Sequence, residues 1–181
     1  MEKAGAFFGA PPRLARGVSD SAGVLTAGEA RRIKRAIRAF ERRFPQTGFT
    51  VALLPLGKDT PGATYTYWVF NRSNPAGELQ QGRDNRHLFV LVDTASRGAW
   101  MTVGYGLEPF IGERHLQQCL GKAQPQFAQG RFAAGVEMLL AATESVFREV
   151  IGTLPRVYGF PRPDAAPLMR PAGKPQPAAS W

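Results

Sequence analysis

Cysteine and histidine are scarce in this 181-residue chain, which contains one cysteine and two histidines. The single thiol, Cys119, excludes an intrachain disulfide, and its apolar neighbours at helical spacing indicate a buried side chain. His87 and His115 stand in no recognisable nucleophile signature, so we interpret both as structural. The GxSxG, HExxH, CxxC and P-loop patterns are absent from the sequence as well. Nucleophilic catalysis therefore finds little support in the sequence.

Long apolar runs and acidic residues are also scarce. No run reaches the length of about 20 apolar residues that a membrane-spanning helix needs, and the apolar piece at 4–10 is too short and glycine-rich for a clear secretory signal. The 14 acidic residues face 23 lysines and arginines, which gives a net charge of +9. This excess favours nucleic acid, an anionic membrane surface or an acidic protein partner. The compartment stays open, and we expect any membrane association to be peripheral.

The apolar periodicity predicts an α/β fold. Thr26 and Glu29 have the spacing of a helix capping box, and Pro125 is expected to bend or end the helix that contains it. The predicted elements are a short apolar segment at 18–25, a helix at 27–44, a strand at 49–54, a helix at 61–72, strands at 88–92 and 99–103, and helices at 113–124 and 131–151. This order predicts a three-layer α/β/α sandwich with a Rossmann-like mixed sheet of about four strands, organised around a central hairpin within 84–108.

Composition divides the chain into three parts. Residues 1–17 are predicted to be a loose basic arm, residues 18–152 a single domain, and residues 153–181 a basic tail with seven of the fifteen prolines. Such a tail is extended or disordered when free. Tyr158, Phe160 and Trp181 are spaced along it like anchors for a partner surface, although the tail could equally have no binding role.

Arginines recur along one side of the first predicted helix. Arg31, Arg35, Arg38 and Arg42 lie opposite the apolar positions of this helix. Such a face suits a phosphate backbone, lipid head groups or an acidic partner, and it also suits an ordinary solvated helix. No aromatic residue is interleaved with the charges, which disfavours nucleic acid.

Carboxylate and amide side chains cluster where the predicted strands end. Oxygen ligands at such positions could hold Ca²⁺ or Mg²⁺, which in turn could orient a phosphate. Acids at strand ends are also common turn formers, so the residues alone leave both interpretations open. The residues concerned are Asp20, Asp84, Asn85, Asp93, Glu108 and Glu113.

Several short motifs, in order, resemble the TPM-domain family. They are Val18-Ser-Asp-Ser-Ala-Gly-Val-Leu-Thr26, Asn85 before an apolar strand, Arg97, Val103-Gly-Tyr-Gly-Leu-Glu108, and Pro125-Gln-Phe127 with Gly130 and Gly135. The resemblance implies a Rossmann-like α/β/α domain, often outside the cytoplasm and tethered to a membrane. It also implies roles in photosystem II repair or receptor assembly, and for some members acid phosphatase activity or Ca²⁺ binding.

Transferred by motif, the family's acidic pocket falls on Asp20, Asn85, Glu108 and Glu113, with Arg97 as an anion contact. Glu113 stands where the family commonly has aspartate, and Arg86 where it has glycine. The pocket requires Asp20 and Glu108 to share one rim of the sheet. Two hypotheses follow: a non-enzymatic accessory or assembly subunit of a larger, membrane-embedded and for example photosynthetic complex, or a metal-assisted phosphatase.

Overall fold

The computed structural model describes residues 7–73 and 86–158, with the backbone alone for residues 152–158. Within these ranges it forms a four-stranded mixed sheet with helices on both faces, which confirms the predicted α/β fold. The strands are β1 (Val18–Asp20), β2 (Gly48–Leu54), β3 (His87–Asp93) and β4 (Ala99–Val103), and the helices are α1 (Ala27–Arg43), α2 (Gly62–Arg72), α3 (Glu113–Ala128) and α4 (Phe132–Tyr158).

The strands lie side by side in chain order. β1, β2 and β3 run parallel, and β4 pairs antiparallel with β3 as the second arm of the predicted hairpin. Two sides of the sheet run across the ends of the strands, and they are distinct from its outer strands. We call the side where the three parallel strands end the carboxyl edge. The opposite side, where those strands begin and β4 ends, is the amino edge. β1 and β4 are the outer strands, so each has one side without a strand partner in the described sheet.

Continuous apolar sequence explains why the inner strands are covered on both faces. Every residue of β2 and β3 is buried, as expected for strands between two helical layers. The larger core lies between the sheet and helices α1, α3 and α4, and the smaller core lies beneath α2. The capping box predicted at Thr26 and Glu29 is present at the start of α1.

The N-terminal arm is less loose than predicted. From Phe7 onward it is described, and Phe8 and Leu14 pack against the smaller core. The ring of Phe8 meets the rings of Tyr65 and Trp68 at centroid distances of 5.1 and 5.3 Å. Of the four helices α1 to α4 in the described residues, α2 packs on this face of the sheet and the other three pack on the opposite face. The arm is held in place because it buries apolar surface on this face of the sheet that α2 leaves uncovered.

Two helices extend beyond their predicted ends. α3 continues through Pro125 to Ala128, because Ala123 and Phe127 on its inner side are fully buried and this packing outweighs the lost backbone hydrogen bond. α4 continues through Gly152 to Tyr158, so the predicted end near Ile151 is wrong. The extension includes Pro155, which donates no backbone hydrogen bond. Each of the other added residues extends an established helix at the gain of about one hydrogen bond, and a single glycine does not end it.

No helix within residues 7–73 and 86–158 is both long enough and apolar enough to cross a membrane.

Candidate functional site

The strand register separates the acidic residues that were predicted to form one pocket. Asp20 of β1 pairs with Leu53 of β2, and Leu53 pairs with Val92 of β3. Val92 in turn pairs with Ala99 of β4, so all four residues lie in one row at the carboxyl edge. Val103, which leads to Glu108, pairs with Leu88 about 13 Å away along β3. The prediction that Asp20 and Glu108 share one rim is therefore wrong, because β4 returns to the amino edge before Glu108 is reached.

Asp20 closes the turn between β1 and α1. Its carboxylate accepts hydrogen bonds from the backbone amides of Leu25 at 2.8 Å and Val24 at 3.3 Å. Gly23, within this turn, has a φ of 66°, a conformation that glycine adopts without strain. These contacts correspond to the turn-forming interpretation of a strand-end acid.

Asp93 plays the same part at the end of β3. One carboxylate oxygen accepts hydrogen bonds from the amides of Leu56 at 2.8 Å and Ala95 at 2.9 Å, and the other accepts from the amide and hydroxyl of Ser96. Burial raises the pKa of Asp93, but these hydrogen bonds together outweigh burial and leave the pKa below its ordinary value. Asp93 therefore ties the loop after β2 to the hairpin loop.

Glu108 and Glu113 lie together in a cleft at the outer side of β4. The cleft has a volume of about 600 Å³, and α2 and α3 form its two walls. Both glutamates are exposed, and lysine and arginine are absent from the described lining. The described lining residues are Ala63, Thr66, Tyr67, Ala99, Trp100, Met101, Thr102, Val103, Glu108, Ile111, Gly112, Glu113, Leu116, Gln117 and Leu120. We name this feature the edge cleft.

Tyr105 lies between Gly104 and Gly106 in the corner that follows β4, and it adds a polar contact beside the edge cleft. Its hydroxyl lies 3.3 Å from that of Tyr67 on α2. The hydrogen bond to Tyr67 raises the pKa of Tyr105, and the negative charge of Glu108 adds a smaller effect in the same direction. The corner and α2 are thus linked across one end of the cleft.

The described residues do not complete a metal site in the edge cleft. Ca²⁺ takes six to eight oxygen ligands, whereas Glu108 and Glu113 are the two acids that line the cleft. Among residues 7–73 and 86–158 there is no group of three or more histidine, cysteine or acidic side chains suited to a metal. Asn85 lies outside the described residues. Asp20 lies apart from Glu108, and binding of Ca²⁺ or Mg²⁺ by Asp20, Asn85, Glu108 and Glu113 stays a prediction.

Arg97 stands in the hairpin loop at the carboxyl edge, away from Glu108. Its guanidinium donates a hydrogen bond to the carbonyl of Ala128 at 2.7 Å, and its own carbonyl accepts one from Gln124 at 3.3 Å. Its φ of 62° is a left-handed conformation that glycine adopts more readily. Arg97 therefore fastens the hairpin to the end of α3, and its role as an anion contact stays a prediction.

The arginines predicted on the first helix form a straight stripe. Arg31, Arg35, Arg38 and Arg42 are exposed, and at 100° per residue they fall within about 60° of the helix circumference over about 16 Å. Ile33, Ile37 and Phe40 on the opposite side are buried. We name the four residues the arginine stripe.

Neighbouring arginines on α1 are used differently. Arg32 pairs with Glu137 at 3.0 Å, and Arg43 pairs with Glu144, so both bind α1 to α4. The four arginines of the stripe form no ion pair with any residue that the structure describes. Their charges are therefore not neutralised within this part of the chain.

Arg16 extends the positive surface and was missed at the sequence level. A depression of about 420 Å³ near the end of α1 is lined by Arg16, Arg38 and Arg42, together with Glu41. A guanidinium nitrogen of Arg16 lies 3.9 Å from a carboxylate oxygen of Glu41. Because β1 and β2 are parallel, α1 has to run back from the end of β1 to the amino edge, where both strands begin. Arg16 lies just before β1, so the last turns of α1 place Arg38 beside it. A predicted β1–α1–β2 unit could have indicated the proximity.

The predicted partner anchors fall at or beyond the end of the described chain. Tyr158 is the last residue of α4, and its side chain is not described. Phe160 and Trp181 lie outside the described residues. Their partner-binding roles stay predictions.

Together these features define a single α/β/α domain with a basic helix face and an acidic cleft beside an edge strand. The TPM-domain profile matches residues 18–146. This chain therefore belongs to the TPM-domain family, as its motifs predicted.

Three structures determined by NMR share the fold. An N-terminal domain from P. gingivalis is 23% identical with a TM-score of 0.63, and 76% of this chain covers 85% of that domain. The N-terminal domain of a Corynebacterium glutamicum protein is 16% identical with a TM-score of 0.57, and the alignment covers 76% of this chain and 83% of that domain. The BA42 protein from Bizionia argentinensis is 17% identical with a TM-score of 0.58, and the alignment covers 70% of this chain and 83% of that protein. Comparison with curated proteins gave no match.

Proposed function

We propose that this protein is a non-enzymatic accessory or assembly subunit that docks through the arginine stripe on a larger, membrane-associated complex. The observation that carries the proposal is the difference between the arginines of α1. Arg32 and Arg43 are paired with acids of α4, whereas the stripe has no described acidic partner. Four aligned guanidinium groups suit carboxylates on another protein, because each can bind a carboxylate with two hydrogen bonds.

The surroundings of the stripe favour an acidic protein surface over the other anionic partners. The side chains that flank the stripe on α1 include Lys34 and Ala39, and this face of α1 has no aromatic residue for stacking on bases. An interfacial membrane helix needs a large apolar face directed at the lipid, whereas the apolar face of α1 is buried in the core. Membrane association is therefore proposed to be peripheral and to depend on the partner complex.

The tail is proposed to add a second contact with the same complex. α4 ends at Tyr158, so residues 159–181 follow a helix of 27 residues. The prolines of residues 159–181 limit the number of conformations that binding has to restrict. This reduces the entropic cost of docking an extended segment. A chain that stops after Tyr158 is expected to bind the complex more weakly than the full chain.

Charge reversal on the stripe tests the proposal. The Arg35→Glu/Arg38→Glu variant should recover at least about tenfold less of the partner complex from a mild-detergent extract of the native source, since both charges become repulsive to an acidic surface. The matched control is Lys58→Glu/Lys122→Glu, two exposed positions outside the stripe. Each variant lowers the net charge from +9 to +5 because each reversal removes two charges. Equal recovery by the two variants would rule out docking through the stripe.

A metal-assisted phosphatase is the second candidate, and one observation favours it. Glu108 and Glu113 line the same cleft. Its test is hydrolysis of a chromogenic phosphate ester with and without Ca²⁺ or Mg²⁺. A metal-dependent rate lost in Glu108→Gln and Glu113→Gln, but kept in Asp20→Asn and in Glu149→Gln on α4, would support the enzyme. Our proposal predicts no hydrolysis above the protein-free rate in any of these proteins.

A further inference from the structure

We propose that the outer side of β4 binds an extended peptide, which adds to the sheet as a fifth strand and carries a lysine or arginine at the end nearest Val103. The occupant is a segment of another protein, recognised first through its backbone. This inference concerns a surface separate from the arginine stripe, and it does not depend on the docking role proposed for α1.

The hydrogen-bond pattern of the hairpin identifies which backbone groups of β4 point outward. The amide of Asp93 donates to the carbonyl of Gly98 at 2.8 Å, and the amide of Gly104 donates to the carbonyl of His87 at 2.9 Å. In an antiparallel pair the bonded positions alternate. Trp100 and Thr102 therefore bond to β3. The N–H and C=O groups of Ala99, Met101 and Val103 face away from β3 and have no partner among the described residues.

β4 also lacks the features that usually protect an outer strand. Its sequence, Ala99-Trp-Met-Thr-Val103, contains no proline and no charged residue, although exposed edges are commonly protected by lysine, proline, bulges or very short length. The other outer strand, β1, has three residues and ends in Asp20. An unprotected five-residue edge is typical of strands that accept a partner strand.

The edge cleft provides the space that such a strand needs. An added strand would lie about 4.8 Å beyond β4 in the plane of the sheet, between α2 and α3. Its side chains would alternate between the two walls. Leu116 and Leu120 lie on the α3 wall, and Ala63 and Tyr67 lie on the α2 wall. Tyr67 is 48% exposed. Apolar side chains on alternate positions of the peptide would therefore cover partly exposed surface on both walls.

Charge complementarity fixes the character and position of the basic residue. The described lining of the edge cleft contains two acids and no base, although the whole chain has a net charge of +9. Glu113 begins α3, and Glu108 follows β4. Both acids therefore lie at the amino edge, next to Val103. The end of the cleft next to Ala99 has no described charged lining residue. A cation is consequently favoured at one end of the peptide.

Hydrogen exchange measured by NMR tests the ladder directly. In the free full chain, the amides of Ala99, Met101 and Val103 should exchange faster than those of Trp100 and Thr102. The probe is a ten-residue peptide selected against the full chain from a random library. Binding should slow exchange at Ala99, Met101 and Val103 while leaving Trp100 and Thr102 nearly unchanged. Selected peptides should share alternating apolar residues and a lysine or arginine towards one end.

Two variants separate strand addition from simple surface contact. Met101→Pro removes one outward N–H without removing a bond to β3, and it should abolish binding, whereas Met101→Leu should retain it. Circular dichroism confirms that each variant is folded. If Met101→Pro does not fold, Glu108→Lys/Glu113→Lys gives the test, because charge reversal should weaken binding about tenfold.

Four results would overturn the proposal. The first is selection of peptides that are acidic or interrupted by proline at their centre. The second is protection of residues other than Ala99, Met101 and Val103. The third is full binding by a folded Met101→Pro variant or by Glu108→Lys/Glu113→Lys. The fourth is protection of the edge amides without peptide that increases with protein concentration, which would identify a second copy of the chain as the occupant.

Discussion

At the residue scale, the position of an acid in the strand register decides whether it serves structure or binding. Asp20 and Asp93 stand at the carboxyl edge, and their oxygens accept backbone hydrogen bonds from the adjacent turns. Glu108 and Glu113 stand near the amino edge with their side chains exposed to the edge cleft. The same chemical group therefore stabilises loops at one edge and is open to a partner at the other.

Asp93→Ala should lower the free energy of unfolding by about 2–3 kcal/mol, because the partly buried amides of Leu56, Ala95 and Ser96 lose a charged acceptor. Asp59→Ala, at an exposed loop position, is the control and should change stability by less than about 0.5 kcal/mol. Urea denaturation followed by fluorescence measures both variants. A loss as small as that of the control would show that the hydrogen bonds of Asp93 contribute little.

The pH dependence of stability tests the same residue. The pKa of Asp93 is lower in the folded protein than its ordinary value, so its contribution is complete above the unfolded pKa of about 3.9 and is lost as the pH falls through the folded pKa. Between about pH 5 and pH 3, the unfolding free energy of the wild type should therefore fall more steeply than that of Asp93→Asn. Parallel curves for the two proteins would contradict the assignment.

At the element scale, close contact between helices depends on particular glycines. A Cβ atom added at Gly135 of α4 would lie 2.3 Å from the ring of Phe127 of α3, and that ring is fully buried. A Cβ added at Gly121, an exposed position within α3, would meet nothing within 4 Å. The two helical glycines thus have different roles.

Gly135→Ala should destabilise the protein by about 1–3 kcal/mol, because the added methyl group overpacks the α3–α4 contact. Gly121→Ala should stabilise it by about 0.5–1 kcal/mol, because alanine favours the helix and nothing is displaced. Thermal and urea denaturation of the two variants give the comparison. Stabilisation by Gly135→Ala as well would show that Phe127 does not limit the approach of α4.

The sequence was most informative where apolar periodicity and caps agreed. The buried runs of β2 and β3 and the capping box of α1 were predicted correctly, because each depends on neighbours in the chain. Passage of α3 through Pro125 depended on burial of Phe127, a contact with a distant element. The separation of Asp20 from Glu108 depended on the direction of β4, and the place of Arg16 depended on the parallel pairing of β1. Local patterns do not contain these relations.

At the scale of the whole molecule, opposite charges occupy separate surfaces. The arginine stripe lies on α1, which packs against the β1 and β2 side of the sheet, whereas the edge cleft lies beyond β4 at the far side. The proposed acidic partner of the stripe and the proposed basic peptide of the cleft therefore need not compete for one site. A single small domain could then contact two components of an assembly.

The central claim, docking through the arginine stripe, is tested most directly by site-specific photo-cross-linking in the native source. A photoreactive amino acid at position 35, in place of Arg35, should form adducts with the partner complex, whereas the same group in place of the exposed Lys122 should not. Adducts at position 35 should disappear at about 1 M salt, where screening acts over about 3 Å. Equal adducts from both positions, or adducts from Lys122 alone, would contradict the account.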